Sequence, residues 1–406
     1  MTLIEGHRAI APPVGVPVWD VDPYAPEVLA NPAPFAEALR AKGPFAYIPR
    51  HSMLICGRYT ETREVFGDWQ RFTSARGVGL ADFAAEAPWR PPSIVLEVDP
   101  PEHSRARKVI LRAMSPKAVA GLKDDFRMAA DALIDTLVGA GDIDVVTDLA
   151  EAFATTVFPA AVGLRATDAR RLVDYGAMVF NALGPDNALR RASMARAPDI
   201  VPWITNACRR ENLTQDGFGA AIYAAADDGE ITEDEAGMLV RSLLSAGVDT
   251  TVTAIGSAIW CLATNPGEYA RLRADPTLAR PCLEEALRLT SPVHAFCRTA
   301  AVDTSVSGIA IPEGAKILCM LGSANLDPDQ WPDPTRFDIG RRPAGHLAFG
   351  VGVHNCVGQS VARAEGDAIL SALAAKVSGI EIIGDPVWRP NNAIHALDHM
   401  KVILTP

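Results

Sequence analysis

The residues best suited to chemistry in this chain lie in one ten-residue stretch, Phe349-Gly350-Val351-Gly352-Val353-His354-Asn355-Cys356-Val357-Gly358. Its first two glycines let the backbone turn tightly and come close to a flat ligand. Cys356 follows at the start of a helix, where free N–H groups and the helix dipole favour a thiolate over a thiol. Gly358 permits close packing behind that sulfur. A phosphate loop would require Gly-Lys-Ser/Thr, which is absent. A zinc site would need more than His354 and Cys356, and no second ligand pair lies nearby in sequence. The other cysteines, at 56, 208, 261, 282, 297 and 319, are scattered singly. An odd count without a CxxC pair argues against a disulfide framework and for small buried hydrophobes.

Other groups carry weaker signals. Ser245-Ala246-Gly247-Val248-Asp249-Thr250-Thr251 lies midway along a long apolar helical stretch. Glycine there is about 1 kcal/mol worse than alanine, and a locally unfavourable choice invites a functional reason. The competing reading is a threonine bonded back to its own helix. Glu285 and Arg288, taken alone, read as an exposed i,i+3 pair worth a few tenths of a kcal/mol. His103 and Arg107 share a helical face at i,i+4. With Arg298 and His354 they are donors able to meet carboxylates, although each alone is an ordinary surface residue.

In this order along the chain, these motifs resemble the cytochromes P-450, and the resemblance covers essentially the whole sequence. It implies a mainly α fold with small β-sheets and a long central helix crossing over haem. Haem b would be ligated by Cys356, whose thiolate donates electron density to the iron. His103, Arg107, Arg298 and His354 would meet its propionates. Asp249 would relay protons and Thr250 would hydrogen-bond dioxygen. Glu285-Ala286-Leu287-Arg288 matches the family's Glu-x-x-Arg motif, with Arg336 of Pro334-Thr335-Arg336-Phe337 as the third member of a buried charge cluster. The acid–alcohol pair in the central helix argues against a peroxide-using relative. It also argues against a haem-thiolate binding protein without turnover, which would share Cys356 but not need that pair.

Three further segments, 89–97, 179–185 and 239–244, are similar to bacterial oxygenases that demethylate para-methoxybenzoate. The implied activity is O-demethylation or hydroxylation of para-substituted benzoates such as 4-methoxybenzoate. Ser93 and Ser242 would bind the carboxylate and Arg90 would supply positive charge at the entrance. Leu96, Phe180, Ala246, Val293 and Phe296 would enclose the ring. Leu183 stands where that group has an aromatic residue, and His294 and Cys297 also depart from its pattern. A terpenoid or fatty-acid hydroxylase is the alternative among enzymes. The length leaves no room for a reductase, so the resemblance implies a [2Fe–2S] ferredoxin with a flavin-dependent NAD(P)H reductase. Arg105, Lys108 and Arg112 could meet such an acidic partner or be solvated helix charges.

The elements that must position these residues can be sketched from composition and pattern. The chain has 406 residues, 49% hydrophobic and 21% charged, which suits a globular protein. A net charge of −11 argues against nonspecific nucleic-acid binding, which needs a basic footprint. Met1 to Gly15 lacks the apolar core of a signal peptide, and the apolar stretches within 239–263 carry Arg241 and Asp249. The expectation is a cytoplasmic protein without a membrane span. A single domain over 1–406 is expected, with an extended arm over 1–35, a hairpin over 46–55 and a proline-rich loop over 76–101. A helix-rich part would span about 103–290 and a β-rich part with the cysteine loop about 291–406. Thr232 and Glu235 form a capping-box pattern. The helix they open has no proline before Pro266, giving it a length of roughly 50 Å.

Overall fold

The computed structural model describes residues 9–406, so the part of the predicted arm over 1–8 lies outside the described residues. The arm is shorter than predicted, because helices Pro26–Ala30 and Pro32–Lys42 occupy its C-terminal end. Prolines open both helices. At a first helical position proline sacrifices no hydrogen bond and its fixed φ is already helical.

Among the described residues, ten strands form three small sheets. β1 (Ala46–Ile48) and β2 (Met53–Cys56) make the expected hairpin, with Ala46 opposite Ile55. β3 (Phe72–Thr73), β5 (Ala295–Ala300) and β8 (Lys316–Met320) complete a five-stranded sheet in the order β1-β2-β8-β5-β3, parallel only between β2 and β8. β4 (Asp142–Asp144), β9 (Gly379–Arg389) and β10 (Ala396–Thr405) form a second sheet, and β6 (Thr304–Val306) pairs with β7 (Ile309–Ile311). The proline-rich loop is anchored from beneath by Lys316. Its ammonium is buried and donates to the carbonyls of Arg76, Gly77 and Ala81 at 3.1, 3.3 and 2.9 Å.

Helices dominate between Glu102 and Thr290. One hydrophobic cluster draws on residues from Ala106 to Leu404, so the helical part and the C-terminal strands share a core. Helix Gln359–Lys376 packs along helix Pro116–Leu137, and helix Asp249–Thr264 along helix Ala279–Thr290. Two helical stretches, Val145–Val162 and Glu233–Thr264, are long and apolar enough to cross a membrane, but both are mostly buried inside the fold.

The capping box forms as predicted: Glu235 N–H donates to Thr232 Oγ1 (3.2 Å), and Thr232 N–H donates to Glu235 Oε2 (2.8 Å). The helix it opens is not continuous to Pro266. It divides at Val248 (φ −92°, ψ −68°) into Glu233–Gly247 and Asp249–Thr264. The Phe158 ring presses on the break, and a Cβ at Gly247 would lie 2.2 Å from Phe158 Cε1. Packing therefore requires the glycine that sequence reasoning assigned to function alone.

Candidate functional site

The cysteine loop begins at the 3-10 turn Leu347–Phe349 and ends at helix Gln359–Lys376. Gly350 and Gly352 adopt φ +67° and +75°, a region that other residues enter only with strain. At Gly352 a Cβ would also lie 2.6 Å from the carbonyl oxygen of Gly67. Cys356 N–H donates to Phe349 O at 2.7 Å and closes the loop. The helix starts three residues beyond the cysteine, so the N–H groups that approach the sulfur belong to Gly358 and Gln359. Burial pushes the Cys356 thiol up, against the pull of those N–H groups and of Arg107 and Arg363. The helix start therefore does not favour the thiolate unaided. A bound metal deprotonates a coordinating thiol outright.

Around this loop the structure gathers the four predicted propionate partners, and their state fits an acidic guest. Arg298 is fully buried, lies 3.9 Å over the Phe66 ring and donates to Cys297 O, with no carboxylate in ion-pair reach among the described residues. Burial lowers its pKa to about 10. A buried guanidinium without a counter-charge is costly, and a propionate would supply one. His103 is buried with both ring nitrogens unpartnered among the described residues, and its ring lies 4.3 Å from that of His354. Arg107 donates to Asn355 Oδ1. His354 Nε2 is 2.8 Å from Asp99 Oδ1, and its Nδ1 is unpartnered. Sequence reasoning missed Asp99, which also accepts from Thr73 Oγ1 and Ser74 N–H and so fixes the His354 ring. The signal available was its place just ahead of Pro100-Pro101 and His103.

On the central helix, Asp249 is buried and its Oδ1 lies 2.8 Å from Arg389 Nη2, at the end of β9. Its Oδ2 is buried without a partner. Thr250 Oγ1 donates to Ala246 O at 2.5 Å, the back-bonded arrangement that was the competing reading. Ala246 is exposed although Leu243, Leu244, Val248 and Asp249 around it are buried. That accessible apolar surface is what a flat apolar ligand would cover. Thr251 Oγ1 donates to Glu365 Oε2 (3.3 Å), both residues being buried. Burial raises the Glu365 carboxyl to about 8. Neither Arg389 nor Glu365 was identifiable from sequence, because each reaches the site from a distant element.

The charge cluster forms with one change of member. Arg288 clasps Glu285 through two 2.8 Å bonds and donates to the carbonyls of Asn325 (2.9 Å) and Pro334 (2.7 Å). Its third side chain belongs to Arg341, whose Nε lies 2.9 Å from Glu285 Oε1. Arg336 contributes only its carbonyl oxygen, and its side chain is exposed. The meander turns sharply after Asp333 (φ 46°), and it is Arg341 that returns to the buried carboxylate.

Of the predicted substrate residues, Phe180, Leu183, Val293 and Phe296 come together in a separate apolar cluster with Ala393, Ile394 and Ala396. The last three were missed, since their strand-like run resembles any edge of a sheet. Ser93 Oγ and Ser242 Oγ lie 3.5 Å apart, and Leu96 is half-buried nearby, its N–H on Ser93 Oγ at 3.2 Å. Arg90 departs from the expectation. Its guanidinium is 3.0 Å from Glu97, a buried carboxylate that also takes the Ser93 N–H at 2.7 Å, so its charge is neutralised locally. Arg241 is instead the half-buried guanidinium without an ion pair or hydrogen bond among the described residues, and both it and Arg90 act on the Tyr175 phenol. His294 is half-buried with its ring nitrogens out of solvent and its ring against Gly322, and desolvation lowers its pKa to about 3. Arg105 and Arg112 pair with Glu235 and Glu230, leaving Lys108 without an ion pair among the described residues.

The family model described as Cytochrome P450 matches residues 207–375. "Cytochrome p450 CYP199A2" of Rhodopseudomonas palustris (strain ATCC BAA-98 / CGA009) is 49% identical over 393 residues, covering 97% of this chain and 95% of that protein. The beta-dihydromenaquinone-9 omega-hydroxylase of Mycobacterium tuberculosis (strain ATCC 25618 / H37Rv) is 31% identical, covering 95% of this chain and 79% of its own length. Among solved structures, the cytochrome P450 CYP109Q5 from Chondromyces apiculatus superposes with a TM-score of 0.80 at 30% identity, covering 95% of this chain and 98% of that one. The epothilone D-bound cytochrome P450epoK gives 0.84 at 25% identity, covering 96% and 100%. With a cysteine loop closed around Cys356, a buried Arg298 without a counter-charge and a relative matched along 95% of its own length at 49% identity, this chain belongs to the cytochrome P450 family, as a haem b monooxygenase with cysteine-thiolate ligation.

Proposed function

We propose that this monooxygenase oxidises para-substituted benzoates, with O-demethylation of 4-methoxybenzoate as its representative reaction. The observation that carries this reading is the gathering of Phe180, Leu183, Val293 and Phe296 in one apolar cluster, with the Ser93 and Ser242 hydroxyls 3.5 Å apart. We read the cluster as the substrate slot and the two serines as its polar end, with Arg241, which like Arg90 acts on the Tyr175 phenol, as the charge available to that end. An aromatic carboxylate needs both, because its ring gains by leaving water and its charge must be met by donors.

Cys356 would hold haem b, which when bound would supply the activation of dioxygen. The chain's own residues then have separate tasks. Arg298, His103, Arg107 and His354 would hold the haem propionates and so position the group. Ser93, Ser242 and Arg241 hold the carboxylate, which directs the para substituent away from the polar end. The slot side chains exclude water and limit the poses in which the methoxy carbon can react. Thr250 and Asp249 handle protons, Asp249 being held by Arg389 and carrying a free Oδ2. The overall change is ArOCH3 + O2 + 2e− + 2H+ to ArOH + HCHO + H2O, in which the hydroxylated methyl group leaves as formaldehyde.

Electrons come from an external donor, as is usual for bacterial relatives, and we propose a [2Fe–2S] ferredoxin with its flavin-dependent NAD(P)H reductase in the cytoplasm. The docking role given to Arg105 and Arg112 is weakened by their ion pairs, which leaves Lys108 as the free charge there. Turnover of 4-methoxybenzoate with a working electron supply should release formaldehyde and 4-hydroxybenzoate in equal amounts. If no para-substituted benzoate changes the spin state of the resting enzyme, the substrate assignment fails.

A further inference from the structure

We infer that Asn392 is a clamp that fixes the width of the substrate slot without touching substrate. The slot has two walls from distant parts of the chain, Phe180 and Leu183 on one side and Val293 and Phe296 on the other. The turn 391–395 joins them. On the second wall it is fastened by His294 N–H to Ala393 O (2.8 Å), His395 N–H to Pro292 O (3.0 Å) and a bridge between Val293 and Ile394. On the first wall the fastening is concentrated in one residue. Asn392 Nδ2 donates to Asn181 O (2.8 Å) and Asn187 Oδ1 (3.2 Å), its Oδ1 accepts from Asn187 Nδ2 (2.7 Å), and its N–H donates to Asn181 Oδ1 (3.1 Å).

These bonds bracket Leu183. Asn181 ends helix Ala169–Asn181, and Asn187 caps helix Ala188–Met194 through its bond from Arg190 N–H. Between them Gly184 lies so close that a Cβ would come 2.4 Å from the Asn392 amide carbon. The Leu183 carbonyl is taken by Leu80 N–H at 2.8 Å. Asn392 and Asn181 are both buried. A buried amide with its bonds made holds its neighbours in one geometry, and removing it leaves their polar groups unsatisfied. The spacing of Leu183 from Val293 and Phe296 is therefore set by hydrogen bonds behind the first wall, as well as by the size of the side chains facing the slot.

This inference rests on the apolar cluster being the substrate slot, so its test uses neutral probes that need no carboxylate site. Imidazole reports access to the iron, and 4-phenylimidazole adds a ring that must enter the slot. Both are titrated against the holoenzyme by the shift of the haem spectrum. Asn392→Ala should weaken 4-phenylimidazole about tenfold relative to imidazole, the scale expected when a buried hydrogen-bonded amide is lost. Hydrogen exchange at 182–187 should rise in the same variant. Asn187→Ala removes one first-wall partner at a half-buried position and should move both readouts in the same direction by less, which keeps the test valid if Asn392→Ala does not retain haem. An unchanged ratio of the two affinities in a folded Asn187→Ala or Asn392→Ala holoenzyme would overturn the clamp. A changed ratio in an enzyme whose spin state ignores every benzoate would uphold the clamp and remove only the substrate assignment.

Discussion

Asp249 and Arg389 form a buried ion pair, Oδ1 to Nη2 at 2.8 Å, between the broken central helix and the end of β9. The carboxylate side chain is 1% exposed and the guanidinium 25%. Breaking such a pair from one side leaves a buried charge, which costs about 3–5 kcal/mol. Arg389→Met should lower the melting temperature and slow turnover. Asp249→Asn should slow turnover by about 10²-fold, the usual scale of general acid catalysis, with substrate affinity nearly unchanged. The double variant should lose less than the sum of the two. Additive losses in calorimetry and steady-state kinetics would show that the two residues act separately.

The charge cluster gives a direct comparison between two arginines. Arg341→Ala removes a side chain that lies on the fully buried Glu285, and should destabilise the fold by about 2–3 kcal/mol. Arg336→Ala removes an exposed side chain whose carbonyl remains in place, and should stay within about 0.5 kcal/mol of the parent. Thermal unfolding and haem retention measure both. A larger loss at Arg336 than at Arg341 would restore the assignment suggested by its place before Phe337.

What the sequence could disclose follows from how local each signal is. Cys356 and its glycines, the Thr232–Glu235 cap and the hairpin at 46–55 depend on neighbours in the chain, and all were readable. Arg341 was passed over for Arg336 because the meander's backbone, which decides which arginine turns inward, has no period. Arg389, Glu365 and Asn392 meet their partners across 140, 114 and 205 to 211 residues. No spacing rule connects such pairs. The division at Val248 was hidden for a related reason, since its packing partner Phe158 lies on another helix.

Glu365 predicts how stability depends on pH. Its carboxyl is raised from an ordinary 4.5 to about 8 by burial. Between those values the folded chain holds a proton that the unfolded chain has released, so folding is favoured at lower pH. The contribution is complete below 4.5 and is lost as pH rises toward 8, by up to about 1.4 kcal/mol per unit. Glu365→Gln should flatten the stability profile from pH 5 to 8, as read by denaturant midpoints. An identical slope in parent and variant would mean that the carboxylate is charged inside the fold.

At the polar end of the slot, Arg241→Ala should weaken benzoate binding about tenfold, the worth of one charge-assisted hydrogen bond. It should leave neutral 4-phenylimidazole unaffected. Arg90→Ala should act mainly by freeing the buried Glu97, and so should lower the melting temperature and weaken both ligands together. If loss of Arg90 were selective for the carboxylate and loss of Arg241 were silent, their roles would be exchanged.

The most direct test of the whole account is the carbon monoxide difference spectrum of the reduced protein. The parent chain should give the Soret band of thiolate-ligated haem, and Cys356→Ala should abolish it. A parent protein without haem, or a band that survives Cys356→Ala unchanged, would contradict the assignment of Cys356 as the iron's ligand.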